Sequence, residues 1–167
     1  MSRSDDLREL IGEIQRHQET SRKMLDAMHH LVEEDLPRIG RTTTASVAAA
    51  GLLENYYTAI ETVFVRVSQS FGNSLDRERW HSDLLHRMTL MVPDVRPAVI
   101  SAETCSMLDE LMRFRHFKRY YFQLDYDWNR LDYLMDLVER LSPRLADDLT
   151  VFEQYVKDLI ARADADT

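Results

Sequence analysis

Apolar side chains recur every three to four positions along most of this chain, which is the period of one face of an α-helix. No segment alternates apolar and polar residues over the length of a strand. Only four glycines and four prolines are present in 167 residues, which disfavours sandwiches, barrels and nucleotide-binding sheets that need many tight turns. The pattern therefore predicts an all-α fold.

The apolar positions divide into about five helices, which predicts an up-and-down helical bundle. Ser4 can cap the first helix, and Pro37 with Gly40 marks its end. The expected spans of the other four are about 42–70, about 76–91, about 101–122 and about 127–160. Ser101 is the expected cap of the fourth helix, and the last helix is expected to bend at Pro143.

The first helix carries its apolar residues at a spacing close to 3.5 residues. They lie at Leu7, Leu10, Ile11, Ile14, Ser21, Met24, Leu25, Met28, Leu31 and Val32. This stripe serves either packing within the bundle or pairing with a partner helix, and the sequence leaves both open. Residues 1–167 are expected to form a single helical domain, with 163–167 as a frayed tail.

Charge and cysteine content narrow the function classes. The formal net charge of -8 argues against a broad basic surface that coats nucleic acid, although a local basic site stays allowed. Cys105 is the single cysteine, which excludes an intrachain disulfide or a Cys-rich zinc site and fits a reducing compartment. With no membrane span of about 18 apolar residues and no signal-peptide core after Met1, we expect a cytoplasmic protein and no membrane partner.

Two carboxylate-x-x-His pairs raise the alternative of a metal-bearing bundle. They are Glu78 with His81 and Asp83 with His86. A di-metal carboxylate bundle needs this motif on two different helices, whereas both copies here lie on one expected helix. Phosphate-binding glycine loops and a Gly-x-Ser-x-Gly elbow are also missing from the sequence. Neither a metal nor a cofactor is expected.

The segment from 113 to 119 concentrates five cationic or titratable groups in an otherwise acidic chain. They are Arg113, Arg115, His116, Lys118 and Arg119, followed closely by Tyr120, Tyr121, Phe122, Tyr126 and Trp128. Guanidinium groups beside aromatic rings suit a phosphodiester with exposed bases. The alternative is that these cations balance neighbouring acidic helices and that the aromatic rings pack the end of the bundle.

Two stretches resemble the HEPN superfamily, in particular its HepT-like branch of ribonuclease toxins. The first, 52–64, reads LLENYYTAIETVF and is followed by WHSDLL at 80–85, which is similar to the second helix and the start of the third helix of that branch. The second, 113–125, reads RFRHFKRYYFQLD, which is similar to its signature, commonly Arg-His-x-x-Arg-His-x-Tyr with Leu-Asp downstream. Together they span about 50–135.

The resemblance implies a helical bundle that forms a homodimer, with the signatures of both protomers facing each other. It implies metal-independent cleavage of RNA, in which a histidine transfers protons at the ribose 2′-hydroxyl and an arginine stabilises charge on the phosphorus. It also implies a partner, since many members are encoded beside a nucleotidyltransferase antitoxin that neutralises them, in some cases by adenylylating the signature tyrosine. The candidates are Arg115, His116, Arg119 and Tyr120 for catalysis, and Arg113, Lys118, Tyr121 and Tyr126 for RNA binding.

The chain departs from the signature at two positions. When Arg115 is aligned with the signature arginine, Tyr120 stands where the histidine is expected and Phe122 where the tyrosine is expected. A phenol ionises near pH 10 and an imidazole near 6.5, so tyrosine is a far weaker general base at neutral pH. His116 is the candidate for a displaced base, and Tyr121 or Tyr126 for the nucleotidyl acceptor.

Two functional hypotheses follow from these residues. The first is a HEPN-type endoribonuclease toxin, active or weakened, that uses Arg115, Arg119 and His116. The second is a catalytically inactive HEPN dimer that binds RNA, a nucleotide or its nucleotidyltransferase without cleaving.

Overall fold

Most of the described residues are helical in this computed structural model, which describes residues 3–72, 80–121 and 124–165. The elements are α1 (Arg3–His30), a π-helical turn (Leu31–Asp35), α2 (Leu36–Ile39), α3 (Thr43–Ser70), α4 (Trp80–Met88), α5 (Ala102–Tyr121) and α6 (Trp128–Ala165). Among these residues, extended pairing is limited to an isolated bridge between Val92 and Arg96. The predicted all-α helical bundle is confirmed.

Helix α1 packs along α3 and α6, and α3 in turn contacts α4 and α5. The apolar stripe of α1 is buried in these contacts at Leu7, Leu10, Ile14 and Met28. The buried apolar side chains of α1, α3, α4, α5 and α6 form one contiguous cluster. Of the two interpretations of the stripe, packing within the chain is therefore the one that the fold uses.

Two expected helix starts are confirmed by capping hydrogen bonds, and a third is wrong. Thr42 Oγ1 accepts from the Ala45 amide at 3.1 Å at the start of α3, and Ser101 Oγ accepts from the Thr104 amide at 3.1 Å at the start of α5. Each bond pairs an amide that the first helical turn leaves without a carbonyl. Ser4 lies inside α1, whose described part begins at Arg3, and is not its cap.

One expected helix end is also corrected. Helix α4 ends at Met88 rather than at 91, because the Met88 carbonyl accepts from the Val99 amide at 2.7 Å instead of from the next helical turn. The buried guanidinium of Arg96 completes this end by donating to the Arg87, Leu90 and Pro97 carbonyls. The expected start of this helix at about 76 lies outside the described residues.

Helix α6 runs without interruption from Trp128 to Ala165, with Pro143 inside it. Proline removes one helical hydrogen bond, but the leucines on either side, Leu141 and Leu145, are both buried in the core. Packing on both sides of Pro143 thus supports the continuation of the helix. Helix α6 also includes 163–165 of the expected tail, where Asp164 accepts from Arg8 at 2.8 Å.

None of the described helices is both long and apolar enough to cross a membrane.

Candidate functional site

Arg115, on α5, is held inside the bundle rather than at its surface. Only 6% of the residue is exposed. Its Nε donates to Thr58 Oγ1 at 3.0 Å, and one terminal nitrogen lies 3.2 Å from Glu61 Oε2. The guanidinium also lies 5.8 Å from the centre of the Tyr57 ring. Arg115 is therefore bound on several sides by α3.

Glu61 connects this arginine to a histidine on α4. The carboxylate is buried, and its second oxygen, Oε1, is hydrogen-bonded to His81 Nδ1. The His81 side chain remains 37% exposed. One buried carboxylate thus joins a buried cation to a partly exposed imidazole, and we call these three residues the Arg115–Glu61–His81 cluster.

One turn further along α5, two cations share a single carboxylate of α3. Glu54 accepts from Lys118 Nζ at 2.5 Å and from Arg119 Nε at 3.1 Å. Burial raises the pKa of Glu54, but the hydrogen bonds and charges of these two cations outweigh it and hold that pKa below its usual value. Two positive charges against one negative charge leave a local excess of one, and the Arg119 side chain is 52% exposed.

The outer side of the same helix end carries aromatic rings. His116 and Tyr120 pack against each other with ring centres 4.3 Å apart, and Phe117 and Tyr121 stack at 5.1 Å. All four residues are exposed. These pairs follow from the i, i+4 spacing, which puts side chains one above the other on a helix. We call the four residues the aromatic face.

A groove of about 440 Å³ lies between α5 and the start of α6. Phe114 and Tyr126, with ring centres 6.1 Å apart, form part of its wall. Arg113 lies at this groove and is paired with Asp109 at 2.7 Å. Tyr126 is only 7% exposed, so its ring belongs mainly to the core.

A family model described as HepT-like protein matches residues 48–156. This chain belongs to the HepT-like family. The matched residues include the Arg115–Glu61–His81 cluster, Glu54 with its two cations and the aromatic face, whereas α1 precedes the match. No curated protein and no solved structure matches the chain.

In this HepT-like protein the four candidate catalytic residues lie on two sides of α5. Arg115 and Arg119 face α3, where they pair with Glu61 and Glu54. His116 and Tyr120 are on the exposed side and pair with each other. Within this chain, therefore, His116 does not belong to the buried cluster of Arg115. Phe122, expected at the position of the signature tyrosine, lies outside the described residues.

Sequence reasoning did not identify the two glutamates of α3 as site residues. Glu54 and Glu61 are seven positions apart, which is two helical turns and one face. Two carboxylates at this interval, beside the apolar face of α3, were the sequence pattern that could have indicated buried glutamates. Their partners could not be named, because that depends on how α3 lies against α5.

The residues of the alternative metal site are used differently. Glu78 lies outside the described residues, His81 is bonded to Glu61, and His86 Nδ1 lies 4.0 Å from Cys105 Sγ. Across the described parts of the chain, no three His, Cys, Asp or Glu side chains gather as metal ligands. Burial raises the pKa of the Cys105 thiol, with a smaller contribution from Asp109, which disfavours the reactive thiolate.

Proposed function

We propose that this HepT-like protein is a cytoplasmic, metal-independent endoribonuclease toxin with weakened activity, and that residues 1–167 act as one HepT-like unit. The observation that carries the proposal is the end of α5, where a half-exposed Arg119 with a local excess of positive charge lies beside the aromatic face. Such a combination suits the phosphates and unstacked bases of single-stranded RNA.

The roles of the residues follow from their exposure. Arg119 can place free guanidinium N–H groups on a phosphate while its Nε keeps Glu54. Tyr120 and Tyr121 offer exposed ring faces for stacking bases. Arg113 is exposed and Lys118 is half-buried against Glu54, so Arg113 is the better placed of the two to contact RNA.

A second candidate is a HepT-like dimer that binds RNA, a nucleotide or its antitoxin without cleaving. Two observations favour it. Arg115 is buried in its ion pair, and a phenol stands at Tyr120 in place of the signature imidazole.

Arg119→Ala should weaken binding of a single-stranded RNA roughly tenfold to a hundredfold, since a hydrogen bond to a charged group contributes about 1.5–3 kcal/mol. Tyr120→His should raise cleavage at least about tenfold by supplying a base that titrates near neutral pH. Gel shifts and cleavage of one labelled RNA in EDTA measure both. Arg140→Ala is the matched control, since Arg140 on α6 is a similarly exposed arginine that pairs with Asp136.

Each alternative outcome has its own meaning. Binding without cleavage, by the natural protein and by Tyr120→His, would favour the non-cleaving module. Cleavage that disappears with EDTA would contradict the proposal and indicate a metal-dependent reaction. An Arg119→Ala variant that binds as tightly as Arg140→Ala would remove Arg119 from the RNA site.

We propose a homodimer in which the end of α5 forms part of the interface. Phe117 and Leu124 are large apolar side chains exposed close together in sequence, and large exposed apolar groups commonly mark association surfaces. Phe117→Ser combined with Leu124→Ser should convert a micromolar dimer to a monomer in sedimentation equilibrium. Val151→Ser, at a comparably exposed position on α6, should leave the dimer intact. A natural protein that is monomeric at this concentration would contradict the proposal.

The proposed antitoxin is a nucleotidyltransferase that modifies a tyrosine of α5. Of the two acceptors considered from the sequence, Tyr121 is 69% exposed and Tyr126 only 7%. Tyr121 is therefore the one that an enzyme can reach without opening the core.

A further inference from the structure

We propose that the cavity between α1, α3 and α6 binds a small organic monocarboxylate that has an apolar body and an uncharged polar group at its other end. The cavity has a volume of about 330 Å³, which is at the lower end of the range of small-molecule pockets. One of its walls is α1, which precedes the residues that the family model matches. The proposal does not depend on the ribonuclease function.

The first observation is a pair of buried polar residues on the core-facing side of α1. His17 and Ser21 are both buried, and His17 Nε2 lies 3.0 Å from Ser21 Oγ. Both residues line the cavity. The other buried side chains described in α1 are apolar, namely Leu7, Leu10, Ile14 and Met28. The core-facing side of α1 therefore carries polar groups at the cavity and apolar groups elsewhere.

The second observation is a buried tyrosine that lines the same cavity from α3. Tyr56 is fully buried, and its hydroxyl has no hydrogen-bond partner of normal geometry among the described residues. Burial raises the pKa of this phenol to about 12, although the Ser142 side chain partly opposes the shift. Burial likewise lowers the pKa of His17 to about 4. Both groups are uncharged at neutral pH, so the buried part of the cavity suits an uncharged polar group of a ligand.

The third observation is that α6 offers an apolar wall. Leu145 and Leu149 are buried, Ala146 is exposed, and all three line the cavity. The residues that α1 contributes to the lining are all polar. A ligand with an apolar body can therefore bury that body against α6 while its polar groups bind side chains of α1 and α3.

The fourth observation is a cation at the solvent side of the cavity. Arg22 is exposed, and its Nε donates to the Gln18 carbonyl at 3.4 Å. Glu19, on the preceding turn, pairs with Lys23 at 2.9 Å, and Arg22 has no ion-pair partner among the described residues. Of the described residues that line the cavity, Arg22 is the one that is charged at neutral pH. A guanidinium can bind a carboxylate through two parallel hydrogen bonds, so one carboxylate matches the charge of this site.

The test titrates the full-length protein with a panel of hydroxylated benzoates and phenylacetates, of which para-hydroxybenzoate is the simplest. Nitrogen–proton correlation spectra report both the affinity and the backbone amides whose chemical shifts change. At least one panel member should bind with a Kd of about 1 mM or below, as expected for a ligand of about ten non-hydrogen atoms. The largest shifts should occur at Ser21, Ala146 and Thr150, which line the cavity.

Three variants separate the parts of the site, each measured with the panel member that binds most tightly. Arg22→Ala should weaken this ligand about fivefold and leave binding of the corresponding neutral alcohol unchanged, because only the carboxylate uses the guanidinium. Tyr56→Phe should weaken it roughly threefold to tenfold, the usual contribution of a neutral hydrogen bond, and leave binding of the analogue without a ring hydroxyl unchanged. Ala146→Trp should abolish binding by filling the cavity from its exposed side.

Arg16→Ala is the matched control, since Arg16 is also an exposed arginine on α1 but does not line the cavity. This variant should bind the ligand as the natural protein does, and circular dichroism monitors the fold of every variant. Failure of the whole panel to bind at millimolar concentration would overturn the proposal. So would equal affinities of Arg22→Ala and Arg16→Ala, or shifts confined to Lys118 and Arg119, which would identify adventitious binding of an anion to cations of α5. None of these outcomes bears on RNA cleavage.

Discussion

Arg115→Met should lower the free energy of unfolding by about 3–5 kcal/mol, the usual cost of removing one partner of a buried ion pair. Methionine fills the volume of the side chain, but Glu61 is then left buried without its cation, and Thr58 loses the Nε donor. Urea denaturation followed by circular dichroism measures the change. This expectation differs from the one that the sequence alone suggests, in which Arg115 is a surface ligand for phosphate.

Two comparison variants make the cause specific. Arg119→Ala should cost no more than about 1 kcal/mol, because its side chain is half-exposed and Glu54 keeps Lys118. Adding Glu61→Leu to Arg115→Met should recover most of the lost stability, since replacing both partners of a buried pair by apolar groups is often neutral. A single Arg115→Met variant as stable as the natural protein would show that the pair does not hold α5 to α3.

Lowering the pH from 7 to 4 should remove about 3 kcal/mol of stability through a single residue, His17. His17 is buried in α1, where its Nε2 lies 3.0 Å from Ser21 Oγ. Burial lowers its pKa from 6.5 to about 4, opposed by a weaker contribution from the Ala59 backbone. Between these values the unfolded chain binds a proton at His17 and the folded chain does not, so stability is full above about pH 6.5 and falls as the pH drops toward 4.

His17→Gln isolates this contribution, because glutamine keeps a polar group for Ser21 and does not titrate. Urea denaturation at intervals between pH 7 and 4 gives the free energy of unfolding at each pH. Its slope against pH should be smaller for the variant, and in the middle of this pH range the difference should correspond to close to one bound proton. Glu54 does not produce the same effect. Its pKa is lowered in the folded protein, so the stability that it contributes is lost only as the pH falls below the ordinary pKa of a glutamate. Equal slopes for the two proteins would mean that His17 is protonated in the folded state as readily as in the unfolded chain.

The elements that could be predicted from the sequence are those that depend on neighbours in the chain. The helix start near Thr42, the cap at Ser101 and the apolar face of α3 are local patterns, set by residue type and spacing along the chain. The predicted end of α4 was wrong because Arg96, eight residues after Met88, supplies donors to the carbonyls of the preceding loop and helix. Pro143 lies inside the continuous helix α6, because buried leucines on both sides of it offset one lost hydrogen bond.

By itself, the sequence determined the helical class, the resemblance to the HepT-like branch and the position of the basic and aromatic segment on α5. These depend on residue type, periodicity and short spacing, all of which can be read along the chain. Only the tertiary structure decided which faces of that segment are usable. Arg115 points into the bundle and meets Glu61, and Glu61 meets His81, across separations of 54 and 20 residues. Whether a cation binds substrate or orders a carboxylate depends on the register of one helix against another, which packing of the whole core sets and no local pattern records.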